Sequence, residues 1–185
     1  MKQNADSVSF VSGETQLFDQ EGNRKYLNAE ERLKFYEMAK LIPELRDRSF
    51  CLTLYYTGCR ISEALEVTRN RVDLEDKIMI LRTLKQRKHQ RYRALSIPDD
   101  LLVAAKNQLR HTNTNRLWDF SRTTGWRIVK RVMAQADLEG IKATPKGLRH
   151  SYAIACISAS VSLPKLRKWM GHEELNSRRD SITLW

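Results

Sequence analysis

Cysteine, proline and glycine are all scarce in this chain: three, four and seven among 185 residues. The cysteines (Cys51, Cys59 and Cys156) show no metal-ligand spacing, which excludes a disulfide-stapled scaffold and a zinc site and reads as reduced, mostly buried thiols. So little proline and glycine excludes a low-complexity or collagen-like chain. No apolar run approaches the ~20 residues that would span a membrane, and no signal-peptide pattern opens the chain. These absences lead us to expect a cytoplasmic protein without a membrane partner, associated with the nucleoid of a prokaryote. Acid is the other shortage. Asp and Glu number 22 against 33 Lys and Arg, a formal net charge of +11, and residues 77–98 and 141–172 hold no acid at all. No carboxylate cluster remains to hold a metal, and no cofactor is expected. That balance asks for a polyanionic partner, nucleic acid first and a membrane surface second.

What is present suffices for one domain: 41% of the residues are apolar, enough for a core. Residues 1–25 are polar and nearly neutral, and we expect a flexible leader there. Order is expected from residue 26, where Asn28 and Glu31 have capping-box spacing. Leu33, Tyr36, Ala39 and Leu41 are the expected apolar side of that first helix. A second helix is predicted over 44–56, with Pro43 at its entry and Gly58 as its stop. In the next, Ile61, Ala64 and Leu65 take the buried face and Arg60 and Glu63 another. Read alone, Arg60 and Glu63 are a surface ion pair of little worth. Residues 77–84 and 92–97 alternate like paired strands. The stretch 85–91 between them makes a positive finger, and Arg82, Arg87, Lys88 and Arg91 are the expected phosphate contacts. A helix is predicted over 98–110, with His111 exposed in the loop after it. A basic helix over 121–136 follows, with Trp126, Val129, Val132 and Met133 inside.

Thr144-Pro145 is a helix start: a hydroxyl to cap free amides, then a ring already set at helical φ. Lys146, Arg149 and His150 then fall at i, i+3 and i+4 on one face, near a positive helix end suited to a phosphate. Leu148, Tyr152, Ile154 and Ala155 point inward. Pro164 opens a short helix stopped by Gly171, with His172 just beyond. The expected fold class is mixed, mainly α with a small antiparallel β-sheet.

Three motifs stand in order: T-G-C-R-I-S-E-A-L, G-L-R-H-S-Y-A and W-M-G-H. With the basic hairpin between the first two, the chain resembles the catalytic domain of the tyrosine recombinases (phage integrase family) over about residues 27–174. The resemblance implies that fold type over 26–175, with 176–185 an atypical tail. It implies DNA strand cleavage and rejoining through a 3′-phosphotyrosyl intermediate, double-stranded DNA as partner, and a homotetramer on DNA that is monomeric or weakly associated without it. By the same resemblance Arg60 and Arg149 clamp the scissile phosphate. Lys85, or Lys88 if the register differs, is the general acid. Lys146 stands where the family has histidine, His172 matches its last histidine, and Glu63 and His150 support. The family's tyrosine falls about nine residues after His172, where this chain has Ser181, and no tyrosine follows Tyr152. The alternative from another class is a non-catalytic DNA-binding relative or regulator. A general RNA binder fits less well, because the tryptophans and tyrosines fall mostly on apolar faces.

Overall fold

The computed structural model describes residues 17–83 and 91–171. Helix α1 (Ala29–Leu41) begins as its capping box predicts. Asn28 Oδ1 accepts from the Glu31 amide at 2.8 Å, and Glu31 Oε2 accepts from the Asn28 amide at 2.8 Å. Its buried positions are Phe35 and Ala39, whereas Leu33 and Leu41 are 53% and 72% exposed. The expected leucine stripe is therefore wrong. Leu33 lies roughly 200° round the helix from Phe35, at 100° per residue, and the Phe35 side is the one that meets the rest of the fold.

Helix α2 (Leu45–Thr57) is the centre of the domain and packs on five other helices among the described residues. Almost every position from Ser49 to Leu54 is buried, so its hydroxyls need partners inside. Thr53 and Thr57 donate to the carbonyls of Ser49 and Thr53, and Trp118 Nε1 donates to Ser49 Oγ at 2.9 Å. Gly58 ends the helix at φ +57. A side chain there would also collide with the Tyr152 ring, so glycine is required twice over.

After α3 (Ile61–Ala64) comes a three-stranded antiparallel sheet in the order β1-β2-β3, with β1 Val72–Asp73, β2 Ile78–Thr83 and β3 Arg91–Ser96. Alternation sends Met79, Leu81 and Thr83 inward from β2, and Arg93 and Leu95 inward from β3. Met79 pairs with Leu95, and Leu81 with Arg93. The domain closes with α4 (Asp99–His111), α5 (Arg122–Gln135), α6 (Pro145–Ser158) and α7 (Leu163–Met170). Tyr36 and Tyr56 both donate to Asp100 Oδ2, at 2.7 and 2.6 Å, which pins α1 and α2 to α4. His111 is exposed as expected, but it is the last residue of α4 and its ring nitrogen meets the Asn107 carbonyl.

Two further expectations change. Trp126 is 46% exposed rather than inside, because α5 buries the stripe Gly125, Ile128, Val129, Val132 and Met133 and leaves Trp126 on its flank. Residues 17–25, expected within a flexible leader, close into a turn. Asp19 accepts from the amides of Glu21 and Asn23, Phe18 bridges Arg24, and Arg24 pairs with Glu31 at 3.1 Å. Glu31 also takes Lys142. Burial would raise its pKa, but Lys142, Arg24 and the Asn28 amide outweigh that and lower it to about 2.

Candidate phosphate-binding active site

The site is organised from beneath by Glu63. On a four-residue helix its side chain is fully buried, and its two oxygens serve three arginines. Oε1 lies 3.1 Å from Arg60 Nη1. Oε2 accepts from the Arg60 amide at 3.0 Å and from Arg93 Nη2 at 2.7 Å, and lies 3.8 Å from Arg149 Nη1. The expectation of an Arg60–Glu63 surface pair is thus corrected. Spacing gave the pairing, but β3 covers the carboxylate, and Glu63 becomes an interior charge. Burial alone would raise its pKa, but the Arg93 charge and the hydrogen bonds from Arg60 and Arg93 hold it below the usual carboxylate range.

Arg149 comes from the second turn of α6. Its Nη2 donates to the Met170 carbonyl at 2.7 Å, and its Nη1 to the Gly58 carbonyl, so one guanidinium ties the ends of α2 and α7 to α6. Burial, then the charge of Arg60, lower its pKa to about 10, and it stays cationic at neutral pH. The helix that carries it starts as read: Thr144 Oγ1 accepts from the Gly147 amide at 3.0 Å, with Pro145 in the first turn. Gly147 permits contact that no other residue would, since a Cβ there would run into the Lys142 carbonyl.

Lys146 is exposed, whereas His150 is buried, so the shared face of Lys146, Arg149 and His150 runs from solvent into the interior. His150 Nδ1 has no hydrogen-bonding partner. Burial, then the charges of Lys146 and Arg149, lower its pKa to about 4, so it is neutral at pH 7. Arg60, Lys146, Arg149 and His150 line one cleft of about 450 Å³, together with Arg122 and Trp126 of α5. Leu148 and Tyr152 are buried as expected, while Ile154 and Ala155 are only half-buried and Ile154 lines this cleft. The Tyr152 ring packs under Gly58, and burial raises the pKa of its phenol.

Lys85, Arg87, Lys88, His172 and Ser181 lie outside the described residues. Arg82 sits on β2 and is paired with Glu66 at 3.6 Å, and Arg91 is exposed at the start of β3. Arg93 was missed. Its signal was available, since it alternates with Leu95 and Ile97 in the inward row of β3.

The profile of the phage integrase family matches residues 25–179. Tyrosine recombinase XerA of Pyrococcus furiosus is 32% identical over 166 residues, covering 83% of this chain and 55% of that protein. A resolvase of Escherichia coli is 27% identical over 170 residues, covering 74% of this chain and 65% of that one. The chain thus spans about half to two thirds of the length of the curated relatives it matches. Among solved structures, XerH site-specific recombinase bound to difH substrate in a pre-cleavage complex superposes with TM-score 0.72 at 22% identity. That match covers 86% of this chain and 54% of XerH. XerA recombinase matches with TM-score 0.70 at 22% identity, covering 80% of this chain and 56% of the other. These likenesses show a shared fold, mostly helical with a small antiparallel sheet. From the match across residues 25–179 and the 32% identity to XerA, the chain belongs to the phage integrase family.

Proposed function

We propose that residues 26–175 are the catalytic domain of a site-specific DNA recombinase that breaks and rejoins strands through a covalent 3′-phosphoryl intermediate. One observation carries this reading: arginines from two separate elements, Arg60 before α3 and Arg149 in α6, are held at one cleft by one buried carboxylate. Guanidinium forks suit two phosphate oxygens at once, and losing one such donor typically costs about 3 kcal/mol of transition-state stabilisation. In the reaction an attacking hydroxyl gives up its proton to water and forms a bond to phosphorus, and the bond to the 5′ oxygen breaks. That oxygen takes its proton from Lys85, with Lys88 the alternative donor. Lys146 and His172 are assigned as further donors to the phosphate, His150 as a supporting residue, and Glu63 as the support of both arginines. Arg82, Arg87, Lys88 and Arg91 are assigned to flanking phosphates. A 5′ hydroxyl from a second duplex reverses the step, which assigns a homotetramer on DNA, monomeric or weakly associated without it, in the prokaryotic cytoplasm and its nucleoid.

The attacking group is the open position. Tyr152 does not line the cleft and its phenol is buried, and Ser181 stands where the resemblance places tyrosine. The second reading, a DNA-binding relative that does not cleave, rests on that serine alone, and family membership favours the recombinase. Covalent capture on nicked duplexes, run on a denaturing gel, tests both. We expect an adduct from a chain whose tail after Leu175 is replaced by a family-type segment bearing tyrosine, and none from its Arg60→Ala or Arg149→Ala variants. An adduct from the chain as it stands would mean an attacking group other than the tyrosine that the resemblance calls for. No adduct from either chain would overturn the recombinase reading.

A further inference from the structure

Arg93 is out of place by every local rule. It occupies the inward row of β3 beside Leu95, faces Leu81 across the strand pair, and its side chain is 4% exposed. An apolar residue there would complete the row, and replacing a buried ion pair with packed apolar groups is often neutral or better for stability. The arginine is not even fully satisfied, because its buried Nε has no hydrogen-bonding partner. Its other nitrogens reach three elements. Nη2 donates to Glu63 Oε2 at 2.7 Å, and Nη1 donates to Thr83 Oγ1 at 3.0 Å. Nη1 also lies 3.2 Å from where a Cβ of Gly171 would stand, at the residue that stops α7 just before His172.

Resting on the reading of the cleft as a phosphate site, we propose that Arg93 is a positioning residue. It holds Glu63 Oε2, so that this carboxylate does not draw Arg149 away from the DNA phosphate. The geometry carries this directly. Oε1 is engaged by the Arg60 side chain, and Oε2 is shared between Arg93 at 2.7 Å and Arg149 at 3.8 Å. With Arg93 removed, Oε2 becomes a buried charge whose nearest remaining guanidinium, besides that of Arg60, is Arg149. Closing that gap neutralises Glu63 with the charge that the cleft needs. Arg93 also follows the basic finger by two residues, so the strand that leads out of the finger is fastened to the carboxylate that organises both arginines.

The test is the salt dependence of binding to a short duplex DNA, with thermal unfolding measured alongside. Each phosphate contact contributes roughly 0.9 to the slope of log affinity against log salt. Arg60→Ala, the control, is expected to lower the slope by about that amount. Arg93→Met is expected to lower it similarly although Arg93 itself is buried, and adding Glu63→Gln is expected to restore it. Arg93→Lys keeps a cation at Oε2 and is expected to keep the full slope. A purely structural Arg93 predicts otherwise: a lower melting temperature, an unchanged slope and no recovery in the double variant. That pattern overturns the proposal. A reduced slope in Arg93→Lys or in Arg93→Met/Glu63→Gln overturns it as well, even where Arg93→Met alone is too unstable to measure. An unchanged slope in Arg60→Ala instead removes the phosphate reading of the cleft, and the proposal with it.

Discussion

At the scale of single residues the chemistry is decided by what is buried beside what. Glu63 and His150 are both interior ionisable groups with opposite solutions: Glu63 stays charged because arginines surround it, and His150 stays neutral because burial, and then the cations beside it, disfavour its charged form. The second has a stability consequence. The folded pKa of His150, about 4, lies below its ordinary 6.5, so the unfolded chain binds a proton that the folded chain refuses. Its contribution is present in full above pH 6.5 and is lost as pH falls towards about 4. Glu31, lowered to about 2 from 4.5, gives a separate loss at lower pH. Urea midpoints measured across these windows are expected to fall in two stages, and His150→Gln is expected to flatten the first while leaving the second. An unaltered first stage would mean that His150 does not titrate as its surroundings require.

Elements are positioned here by close backbone approach at glycines. Helix α6 carries Arg149 and the core residues Leu148 and Tyr152 within five residues, so its placement is shared by cleft and interior. Gly147 lets its first turn sit against the Lys142 carbonyl, and Gly58 lets α2 end against the Tyr152 ring. Alanine in a helix would ordinarily gain about 1 kcal/mol over glycine. For Gly147→Ala we expect the reverse, a net loss of about 1–3 kcal/mol in chemical denaturation, because the added methyl meets backbone rather than a movable side chain. DNA affinity should drop with it as the first turn of α6 shifts. A stabilised Gly147→Ala protein would show that this approach is not tight.

Over the whole molecule, the two acid-free stretches of sequence meet in space. Strand β3 belongs to the first and α6 and α7 to the second, and α7 packs on both β3 and α6. Four cations, Arg60, Arg122, Lys146 and Arg149, line one cleft, with Glu63 as the carboxylate beneath it. Charge of this kind steers and holds a polyanion through counterion release. We expect affinity for duplex DNA to fall steeply as salt rises, by roughly 0.9 log units per log unit of salt for each phosphate neutralised. A flat response would remove nucleic acid as the main partner of the +11 chain.

What the sequence determined by itself is everything that local backbone chemistry controls. The Asn28–Glu31 box, the Thr144-Pro145 start, the stops at Gly58 and Gly171, and the alternation of β2 and β3 all act within a few residues, and all are found. The three motifs likewise carried the family and the membership of Arg60 and Arg149 in one site. Only the tertiary structure decided which faces are covered. Periodicity placed Leu33 and Trp126 on stripes, but a neighbouring helix decides which stripe is inside, and both are exposed. Spacing paired Arg60 with Glu63, yet a strand 30 residues further on turns that pair into a buried hub. Arg93 looked like one more cation in a basic hairpin until its partner arrived from α3. Burial and electrostatic coupling between distant segments depend on the whole chain packing together, and a sequence window does not contain them.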